Sequence, residues 1–239
     1  MTSEQQPEIS IVIPVHNEEG ILLSAVHDLL MRMPALGRSY ELILAENGSV
    51  DRTAIIAAEL AAKYEPVTTF SIGEPNYGLA LRQGIERAVG MYVLCDEVDI
   101  CDVNFYWRAI ELLERGEADL VVGSKAMPGA KDKRPLSRKA ATFVINRLLR
   151  LLVDFQGTDT HGLKAFRREK LLWAVQACVV DRDLFASEFV IRAGRGETKV
   201  MEIPINIVEK RPPSVDLLRR VPAVIKGLGR LVMAIRWGI

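Results

Sequence analysis

The sequence predicts an α/β protein in which a mostly parallel sheet is flanked by helices. Short apolar runs, each with the length of a buried strand, alternate with longer segments whose apolar residues recur at helical spacing. Polar and glycine residues follow three of these runs, at the points where the strands should end. With 239 residues, the chain is long enough to form one such domain with a complete core.

The first half of the chain shows this alternation most regularly. Strands are predicted over residues 9–15, 40–45, 67–72, 91–95 and 119–122. Helices are predicted over residues 18–33, 51–64, 78–89 and 103–115. Pro34 ends the first helix, because proline cannot continue the helical hydrogen-bond ladder, and Asp51 can cap the second.

The pattern changes after Ser124. Residues 126–137 contain two prolines and several cations, which predicts a mobile loop. The segments that follow are a helix over 138–155, a loop over 156–162, strands over 163–166 and 200–208, and a basic helical segment over 214–239. We therefore expect a disordered polar tail at 1–8, a single domain over 9–211 with halves 9–124 and 125–211, and a C-terminal basic amphipathic helix within 212–239.

The composition of the chain limits the classes of molecule that it is expected to bind. The 31 basic and 31 acidic residues balance, which argues against nucleic acid as the main partner. Cys95, Cys101 and Cys178 lack the spacing of a metal site, and the chain shows no signal peptide, so we expect a reducing compartment such as the cytoplasm. A run of 18 uncharged apolar residues is absent from the sequence, so no membrane span is predicted.

The predicted strand at 91–95 runs directly into four carboxylates, Asp96, Glu97, Asp99 and Asp102. Ligands of open α/β sheets bind beyond the carboxyl ends of the strands. Side chains two apart on an extended segment share a face, which would bring Glu97 and Asp99 together. A divalent cation such as Mg²⁺, completed by substrate phosphates, suits such a pair. The alternative is a solvated acidic turn.

Other strand ends also carry polar residues. These are Pro14, His16 and Glu18 after the first strand, Glu46 after the second, and Asn76 and Gly78 after the third. Taken singly, each group has a structural explanation: Asn17 could cap a helix, and Gly48 could form a turn. Three successive strand ends of this kind together indicate a ligand site.

Cations follow the later strands. They are Lys125, Arg134, Arg138, Lys210 and Arg211. Each could be a solvated surface charge, but beside an acidic metal site they suggest a bound diphosphate. His161 lies in a loop, where a lone histidine is more often neither a ligand nor a base.

Seven segments in order make a more specific pattern. The segments IVIPVHNEE, LAENGSVDRT, NYGLALRQGIERAVG, EVD, VVGSK, GTDTHGLKAF and EIPI resemble the inverting glycosyltransferases of family 2, which have the GT-A fold. Within that family, the chain is most similar to the dolichyl- or polyprenyl-phosphate sugar synthases. The resemblance extends from about Ile9 to Arg211.

The resemblance implies a role for each matching position. Residues 9–124 would bind a UDP- or GDP-sugar, and residues 125–211 would bind the acceptor. The nucleoside pocket would be lined by Pro14, His16, Glu18, Glu46, Asn76, Gly78 and Glu97. Glu97 and Asp99 would bind Mg²⁺ or Mn²⁺ on the donor diphosphate, and Lys125, Arg138 and Arg211 would face phosphates.

Several positions depart from the family pattern. His16 replaces tyrosine, Glu46 replaces aspartate, Glu97 replaces the first aspartate of the metal motif, and Lys125 replaces arginine. Asp96 is an alternative to Glu97 as ligand. These changes keep the charge pattern but leave the nucleotide and the sugar open.

The acceptor decides whether a general base is needed. A polyprenyl phosphate is already an anionic nucleophile, whereas a hydroxyl acceptor must lose its proton to a carboxylate. Glu188 and Asp159 are the candidates for that base. The alternatives are therefore a soluble family 2 enzyme acting on a hydroxyl acceptor, or a nucleotide-sugar-binding protein without activity.

Two basic amphipathic segments predict association with an anionic membrane surface. Residues 138–155 place Arg147 and Arg150 beside an apolar stripe, and residues 217–237 carry five cations among apolar residues. The cations of the second segment are Arg219, Arg220, Lys226, Arg230 and Arg236. The alternative is that both helices pack on the sheet or form the interface of a homodimer.

Overall fold

The structure is a computed structural model that describes residues 6–132, 135–207 and 217–238. Its strands are β1 (Ile9–Val15), β2 (Tyr40–Glu46), β3 (Val67–Ser71), β4 (Tyr92–Cys95), β5 (Leu120–Ser124), β6 (Lys131–Asp132), β7 (Lys164–Arg167), β8 (Val200–Pro204) and β9 (Asn206–Ile207). Its helices are α1 (Leu22–Arg32), α2 (Thr53–Lys63), α3 (Tyr77–Arg87), α4 (Val103–Glu114), α5 (Leu136–Val153), α6 (Arg168–Gln176), α7 (Phe185–Arg195) and α8 (Leu217–Trp237). Short 3₁₀ turns at Met33–Leu36 and Arg182–Leu184 follow α1 and precede α7.

Seven strands form one sheet in the order β3-β2-β1-β4-β7-β5-β8. Every pairing in it is parallel except those of β7, which runs antiparallel to both of its neighbours. The predicted fold class, a mostly parallel sheet flanked by helices, is therefore confirmed. Because β7 is reversed, its first residue, Lys164, lies opposite Cys95 at the carboxyl end of β4.

Helices cover both faces of the sheet, as the continuous apolar strands require. One face packs against α1, α2 and α4, where Ile11 and Ile13 of β1 meet Leu29 and Phe105. The opposite face packs against α3 and α5 to α8, where Val12 of the same strand lies in the second core cluster. Alternate residues of β1 thus enter different cores, because side chains of a strand alternate between its two faces.

The first helix begins later than the sequence predicts. It starts at Leu22 rather than residue 18, and Asn17 does not cap it. Asn17 instead adopts a left-handed backbone conformation, with φ of 53°, and its Oδ1 accepts a hydrogen bond from the backbone N–H of Val50. The polar residues after β1 are therefore held by the neighbouring loop and not by their own helix.

The second half departs further from the prediction. Helices α6 and α7 were not predicted, and the predicted last strand is divided between β8 and β9. Strand β9 pairs with β6, which lies within the segment that was predicted to be a mobile loop. The predicted helices at 138–155 and 214–239 correspond to α5 and α8, so the C-terminal helix is confirmed over Leu217–Trp237.

Candidate active site

Several of the residues that the sequence singled out lie at the carboxyl edge of the sheet. The loops that follow β1, β2, β4 and β5 meet there, together with the loop that precedes the reversed strand β7. Parallel register places Pro14 beside Ala45 in β2, so the ends of these two strands are level. The site is thus built from five chain segments on one sheet edge, the usual position of a ligand in an open α/β sheet.

The loops after β1 and β2 hold each other in place. The backbone N–H of Asn17 donates to Ser49 Oγ at 3.0 Å, and that of Glu18 donates to Thr53 Oγ1 at 2.7 Å. His16 Nδ1 lies 2.9 Å from the carbonyl oxygen of Asn47. A carbonyl can only accept, so Nδ1 carries the proton and the Nε2 of a neutral ring is left as an acceptor.

Glu46 ends β2 as a buried carboxylate. Its Oε1 accepts from the backbone N–H of Ser49 at 2.5 Å, and its Oε2 accepts from the hydroxyl of Ser71. Desolvation raises the pKa of this carboxyl, but the hydrogen bonds from Ser71, Ser49 and Gly48 outweigh it and lower the pKa below its ordinary value. Glu46 is therefore ionised at neutral pH.

Asn76 and Gly78 have structural tasks at the start of α3. The Oδ1 of Asn76 accepts from the backbone N–H groups of Leu79, at 3.1 Å, and Arg182, at 2.9 Å. A Cβ at position 78 would lie 2.3 Å from the carbonyl oxygen of Arg182. These contacts dock the turn before α7 onto α3. The prediction that both residues contact a nucleoside stays a prediction.

Asp96 anchors the acidic segment after β4 and is itself buried. Its Oδ1 accepts from the backbone N–H of Glu97 at 2.6 Å. Its Oδ2 accepts from the backbone N–H of Asp102 at 3.1 Å and from the hydroxyl of Tyr106 at 2.5 Å. Desolvation raises the pKa of Asp96 to about 7, against these hydrogen bonds. Its oxygens hold the turn together, which makes Asp96 a poor alternative to Glu97 as a metal ligand.

The acids do not lie on an extended segment, so the geometric premise of the sequence prediction is wrong. The backbone turns after β4, where the carbonyl oxygen of Glu97 accepts from the N–H groups of Ile100 at 2.9 Å and Cys101 at 3.3 Å. Cys101 has φ of 47°, which is uncommon outside glycine. Strained residues of this kind concentrate at functional sites, and this turn lies at the carboxyl edge of the sheet, where a ligand is expected.

The negative charges of Glu97 and Asp99 nevertheless both affect the pKa of Tyr77. Desolvation, followed by the negative charges of Glu97 and other acids that include Asp99, raises the pKa of Tyr77 well above its ordinary value. Asp99 also lines a cleft of about 210 Å³ between α1 and the turn. Within the described ranges, no three side chains of His, Cys, Asp or Glu form a preformed metal cage. Two carboxylates on one turn fit a cation whose other ligands are substrate phosphates.

Lys125 forms an ion pair with Asp159 across the second half of the site. Its Nζ lies 3.3 Å from Asp159 Oδ2, its side chain is only 7% exposed, and Asp159 is fully buried. The backbone N–H groups of Lys125 and His161 also donate to this carboxylate, at 3.1 and 2.9 Å. Although desolvation raises the pKa of Asp159, Lys125 and these bonds lower it below its ordinary value. Asp159 is thus an orienting anion for Lys125 and a weak base.

The loop before β7 is fixed by residues distant in the chain. Glu202 of β8 accepts from the backbone N–H of Thr158 at 2.7 Å, and Asn146 of α5 donates to the carbonyl oxygen of Thr158 at 2.6 Å. Ser124 Oγ lies 2.7 Å from Thr158 Oγ1. Three elements therefore hold Thr158, and with it the position of Asp159.

Glu188, a candidate for the general base, is enclosed by its own hydrogen-bond partners. Its carboxylate is fully buried at the start of α7 and accepts from the backbone N–H of Val179 and, at 2.7 Å, that of Val180. Arg192 forms an ion pair with it at 2.7 Å. Each carboxylate oxygen thus already has a hydrogen-bond or ion-pair partner, and the assignment of Glu188 as a catalytic candidate stays a prediction.

Lys164 is a buried cation that sequence reasoning missed. Its Nζ donates to the carbonyl oxygen of Gly162 at 2.7 Å. Desolvation lowers its pKa, whereas the nearby Cys95 and Asp159 raise it. The sequence does contain a signal for it, because Lys164 lies within a short apolar strand. A lysine that is fully buried almost always has a partner.

The structure does not describe the side chains of four of the five predicted cations. Arg211, with Arg134 and Lys210, lies outside the described residues. Arg138 lies on α5, but its side chain is not among those described. Their assignment to donor or acceptor phosphates stays a prediction.

A comparison with known protein families identifies the family to which the chain belongs. The family model described as glycosyl transferase family 2 matches residues 10–175. The chain belongs to glycosyl transferase family 2. The resemblance to this family that the seven motifs indicated is confirmed.

Curated relatives of this family 2 glycosyltransferase are longer proteins. It is 31% identical over 238 residues to glycosyltransferase AglD of Haloferax volcanii, covering 96% of this chain and 37% of that protein. It is 27% identical to a dolichyl-phosphate β-glucosyltransferase of Trichomonas vaginalis, covering 84% and 65%. It is 32% identical to an undecaprenyl-phosphate 4-deoxy-4-formamido-L-arabinose transferase of Pectobacterium carotovorum, covering 67% and 49%. The chain thus spans about one third to two thirds of these relatives.

Solved structures share the GT-A fold with the family 2 chain. Glucosyl-3-phosphoglycerate synthase of Mycobacterium tuberculosis, crystallised with Mn²⁺, UDP-glucose and phosphoglyceric acid, superposes with a TM-score of 0.61 at 19% identity, covering 95% of this chain and 80% of that one. Staphylococcus aureus TarS 1–349 with UDP-GlcNAc gives 0.62 at 14% identity, covering 96% and 67%. In the described ranges, every helix is too short or too polar to cross a bilayer.

Proposed function

We propose that this glycosyltransferase transfers a sugar, with inversion, from a UDP- or GDP-sugar to a polyprenyl phosphate. The supporting observation is that neither candidate base suits a hydroxyl acceptor. Glu188 is enclosed by Val179, Val180 and Arg192, and Asp159 is held as an anion by Lys125. An acceptor that already carries negative charge needs no base.

The loops after β1 and β2 would bind the nucleoside. Pro14, His16, Glu18 and Glu46 lie on this rigid wall, and the ionised Glu46 keeps lone pairs beyond those used by Ser49 and Ser71. A preformed wall suits donor binding, because little conformational entropy is then lost when the nucleotide binds.

Glu97 and Asp99 would hold Mg²⁺ or Mn²⁺ on the donor diphosphate. When bound, the ion stabilises the negative charge that develops on the leaving nucleotide. The two carboxylates follow β4 on one turn, so the protein offers two ligands and leaves the others to the substrate.

Lys125 would orient and neutralise phosphate oxygens during transfer. A phosphate oxygen of the acceptor attacks the anomeric carbon with its lone pair, and the bond to the diphosphate breaks with its electron pair leaving on UDP or GDP. No proton changes place in this step. Asp159 keeps Lys125 in position at 3.3 Å, which favours electrostatic stabilisation by a preorganised group.

Helices α5 and α8 would hold the chain on the cytoplasmic face of a membrane. Their outer faces carry exposed large apolar side chains, which are Leu136, Phe143, Val144, Leu151, Ile225, Met233 and Trp237. Arg236 of α8 donates to the carbonyl oxygen of Leu152 at 2.6 Å, which joins the ends of the two helices. An apolar face interspersed with cations suits an interface with anionic lipid, where each cation adds about 1 kcal/mol. A dimer would cover the same face.

A donor and acceptor panel tests the proposal. The purified chain is incubated with UDP- and GDP-sugars, with Mg²⁺, Mn²⁺ or EDTA, and with or without polyprenyl monophosphate, and both nucleotide release and lipid product are measured. We expect product only when polyprenyl phosphate is present and loss of product in EDTA. Transfer to soluble hydroxyl acceptors instead would establish the soluble-enzyme alternative, and donor binding without any transfer would establish the binding-protein alternative.

Vesicle flotation tests the membrane surface separately. We expect the wild-type chain to float with phosphatidylglycerol vesicles at low salt, and Phe143→Glu together with Leu151→Glu to remain soluble. Trp107→Glu is the matched control, because Trp107 is an exposed aromatic residue of α4 on the opposite layer. Equal flotation of all three proteins would remove α5 from the membrane surface, and a concentration-dependent dimer would favour the subunit interface.

A further inference from the structure

A groove of about 310 Å³ separates the turn before α7 from helix α8. Asp181, Arg182 and Leu184 line it from the turn, and Lys226, Gly227 and Arg230 line it from the helix. A Cβ at Gly227 would lie 3.2 Å from the side chain of Leu184, so glycine lets the helix approach the turn closely. The groove is thus formed by two segments that are distant in the chain.

Positive charge dominates this groove. Three cations, Arg182, Lys226 and Arg230, line it, and the one carboxylate among its described lining residues is Asp181, whose Oδ2 accepts from Asn76 Nδ2 at 3.3 Å. None of the three cations forms an ion pair with a side chain that the structure describes. Cations that converge on one concave surface attract a negatively charged ligand.

The turn side of the groove is held rigidly. Arg182 has φ of 58°, a left-handed conformation that is uncommon for arginine. The Oδ1 of Asn76 accepts from its backbone N–H at 2.9 Å, and Gly78 leaves the space that its carbonyl group occupies. Asn76 is 2% exposed, so this support is buried in the fold. A strained residue that is held by buried partners is typical of a functional position.

We propose that this groove binds a phosphate group at a site separate from the donor diphosphate. Arginine offers a planar fork of donors that matches phosphate oxygens, and lysine adds a point charge. Three cations from two sides could surround one phosphate, and Leu184 provides an apolar wall for the ester carbon. The phosphate belongs either to a lipid headgroup or to a soluble anion, since the chemistry of recognition is the same.

The position of the groove connects it with the outer face of α8. Ile225, an exposed apolar residue, neighbours Lys226 in sequence on the same helix. A phosphate bound between Arg182 and α8 would therefore lie beside the apolar face of that helix. Binding would also hold α8 against the turn, because the three cations belong to both segments.

Titration with inorganic phosphate is the first arm of the test. Binding is followed by amide NMR shifts and thermal stability at constant ionic strength, in wild type and in Lys226→Gln with Arg230→Gln. Lys170→Gln with Arg115→Gln is the control, since it removes two exposed positive charges elsewhere. We expect shifts around 181–182 and 226–230 and a Kd raised at least about tenfold in the groove variant alone. Equal phosphate binding by the groove variant and the control would overturn the site.

Vesicles form the second arm and identify the source of the phosphate. Vesicles that contain polyprenyl monophosphate or phosphatidylglycerol are offered with increasing inorganic phosphate. Competition assigns a lipid headgroup to the groove, and phosphate binding without competition assigns a soluble anion. Vesicle binding that is the same in the groove variant and the control, with no phosphate shifts, contradicts both. Donor binding, measured by calorimetry with UDP and GDP in the same proteins, keeps this result separate from the donor site.

Discussion

The two halves of the carboxyl edge are held together in different ways. Around β1 and β2, neighbouring loops bond directly to each other, as between Asn17 and Ser49. Around β5 and β7, the loop at Thr158 and Asp159 is held by Asn146 of α5 and Glu202 of β8. Local loop contacts follow from strand order, whereas the second arrangement needs the finished packing of distant elements. The sequence accordingly predicted the regular elements of the first half, whereas the buried Lys164 of the second half was missed.

The largest expected effect comes from Gly162, which tests how tightly the second half is packed. A Cβ at this position would lie 1.6 Å from the backbone oxygen of Gly123, so Gly162→Ala must displace β5 or the loop before β7. We expect a loss of stability of about 4 kcal/mol or more, measured by urea denaturation. Gly20→Ala is the control from the first half, since nothing lies within 4 Å of a Cβ there. Similar losses in both variants would contradict the close approach.

The raised pKa of Asp96 predicts that the stability of the protein depends on pH. Desolvation raises its pKa to about 7 in the folded protein, whereas the unfolded carboxyl loses its proton near pH 4. The folded state then binds more protons between these values, so the free energy of unfolding falls as the pH rises from about 4 to about 7. At about 1.4 kcal/mol for each pH unit, the fall is at most about 4 kcal/mol.

Asp96→Asn should remove this fall, because the amide cannot ionise. The measurement is denaturant unfolding at several pH values between 4 and 8. Asp28→Asn, which changes a largely exposed carboxylate of α1, should leave the pH dependence as in wild type. A wild-type slope in Asp96→Asn would assign the effect to other groups.

A substitution of Asp159 tests whether this carboxylate orients Lys125 in the second half of the site. Asp159→Asn removes the ion pair at 3.3 Å and leaves a nearly buried cation without its counter-charge. We expect kcat to fall about 100-fold, equivalent to ~3 kcal/mol, with a smaller change in donor KM. Asp154→Asn is the control, because Asp154 ends α5 with φ of 54°, which asparagine also tolerates. Equal kcat values in the two variants would mean that Lys125 does not depend on Asp159.

The smallest expected effect is that of Glu46 in the first half. Glu46→Gln keeps the size of the side chain but removes its charge and weakens the bonds from Ser49 and Ser71. We expect donor KM to rise about tenfold with kcat within about twofold, because a nucleoside contact stabilises ground and transition states alike. Glu59→Gln, on the exposed side of α2, is the control. An unchanged donor KM would remove Glu46 from the nucleotide pocket.

The turn after β4 differs from the geometry that the sequence predicted for its acids. The sequence singled out Glu97 and Asp99 by assuming an extended backbone, but the chain turns at Ile100 and Cys101. The charges of both acids still raise the pKa of Tyr77. The side-chain orientation of acids at a strand end thus depends on the turn that follows, which is anchored here by Asp96.

By itself, the sequence determined the fold class, the strands of the first half and the family. Apolar runs such as β1 read as buried strands because both faces of a parallel sheet must be apolar. Only the tertiary structure decided that Asn76 supports Arg182, that Glu188 is enclosed by a turn and a helix, and that Lys164 is buried beside the site. The physical reason is that such roles depend on hydrogen bonds and packing between segments distant in the chain, which local periodicity does not encode.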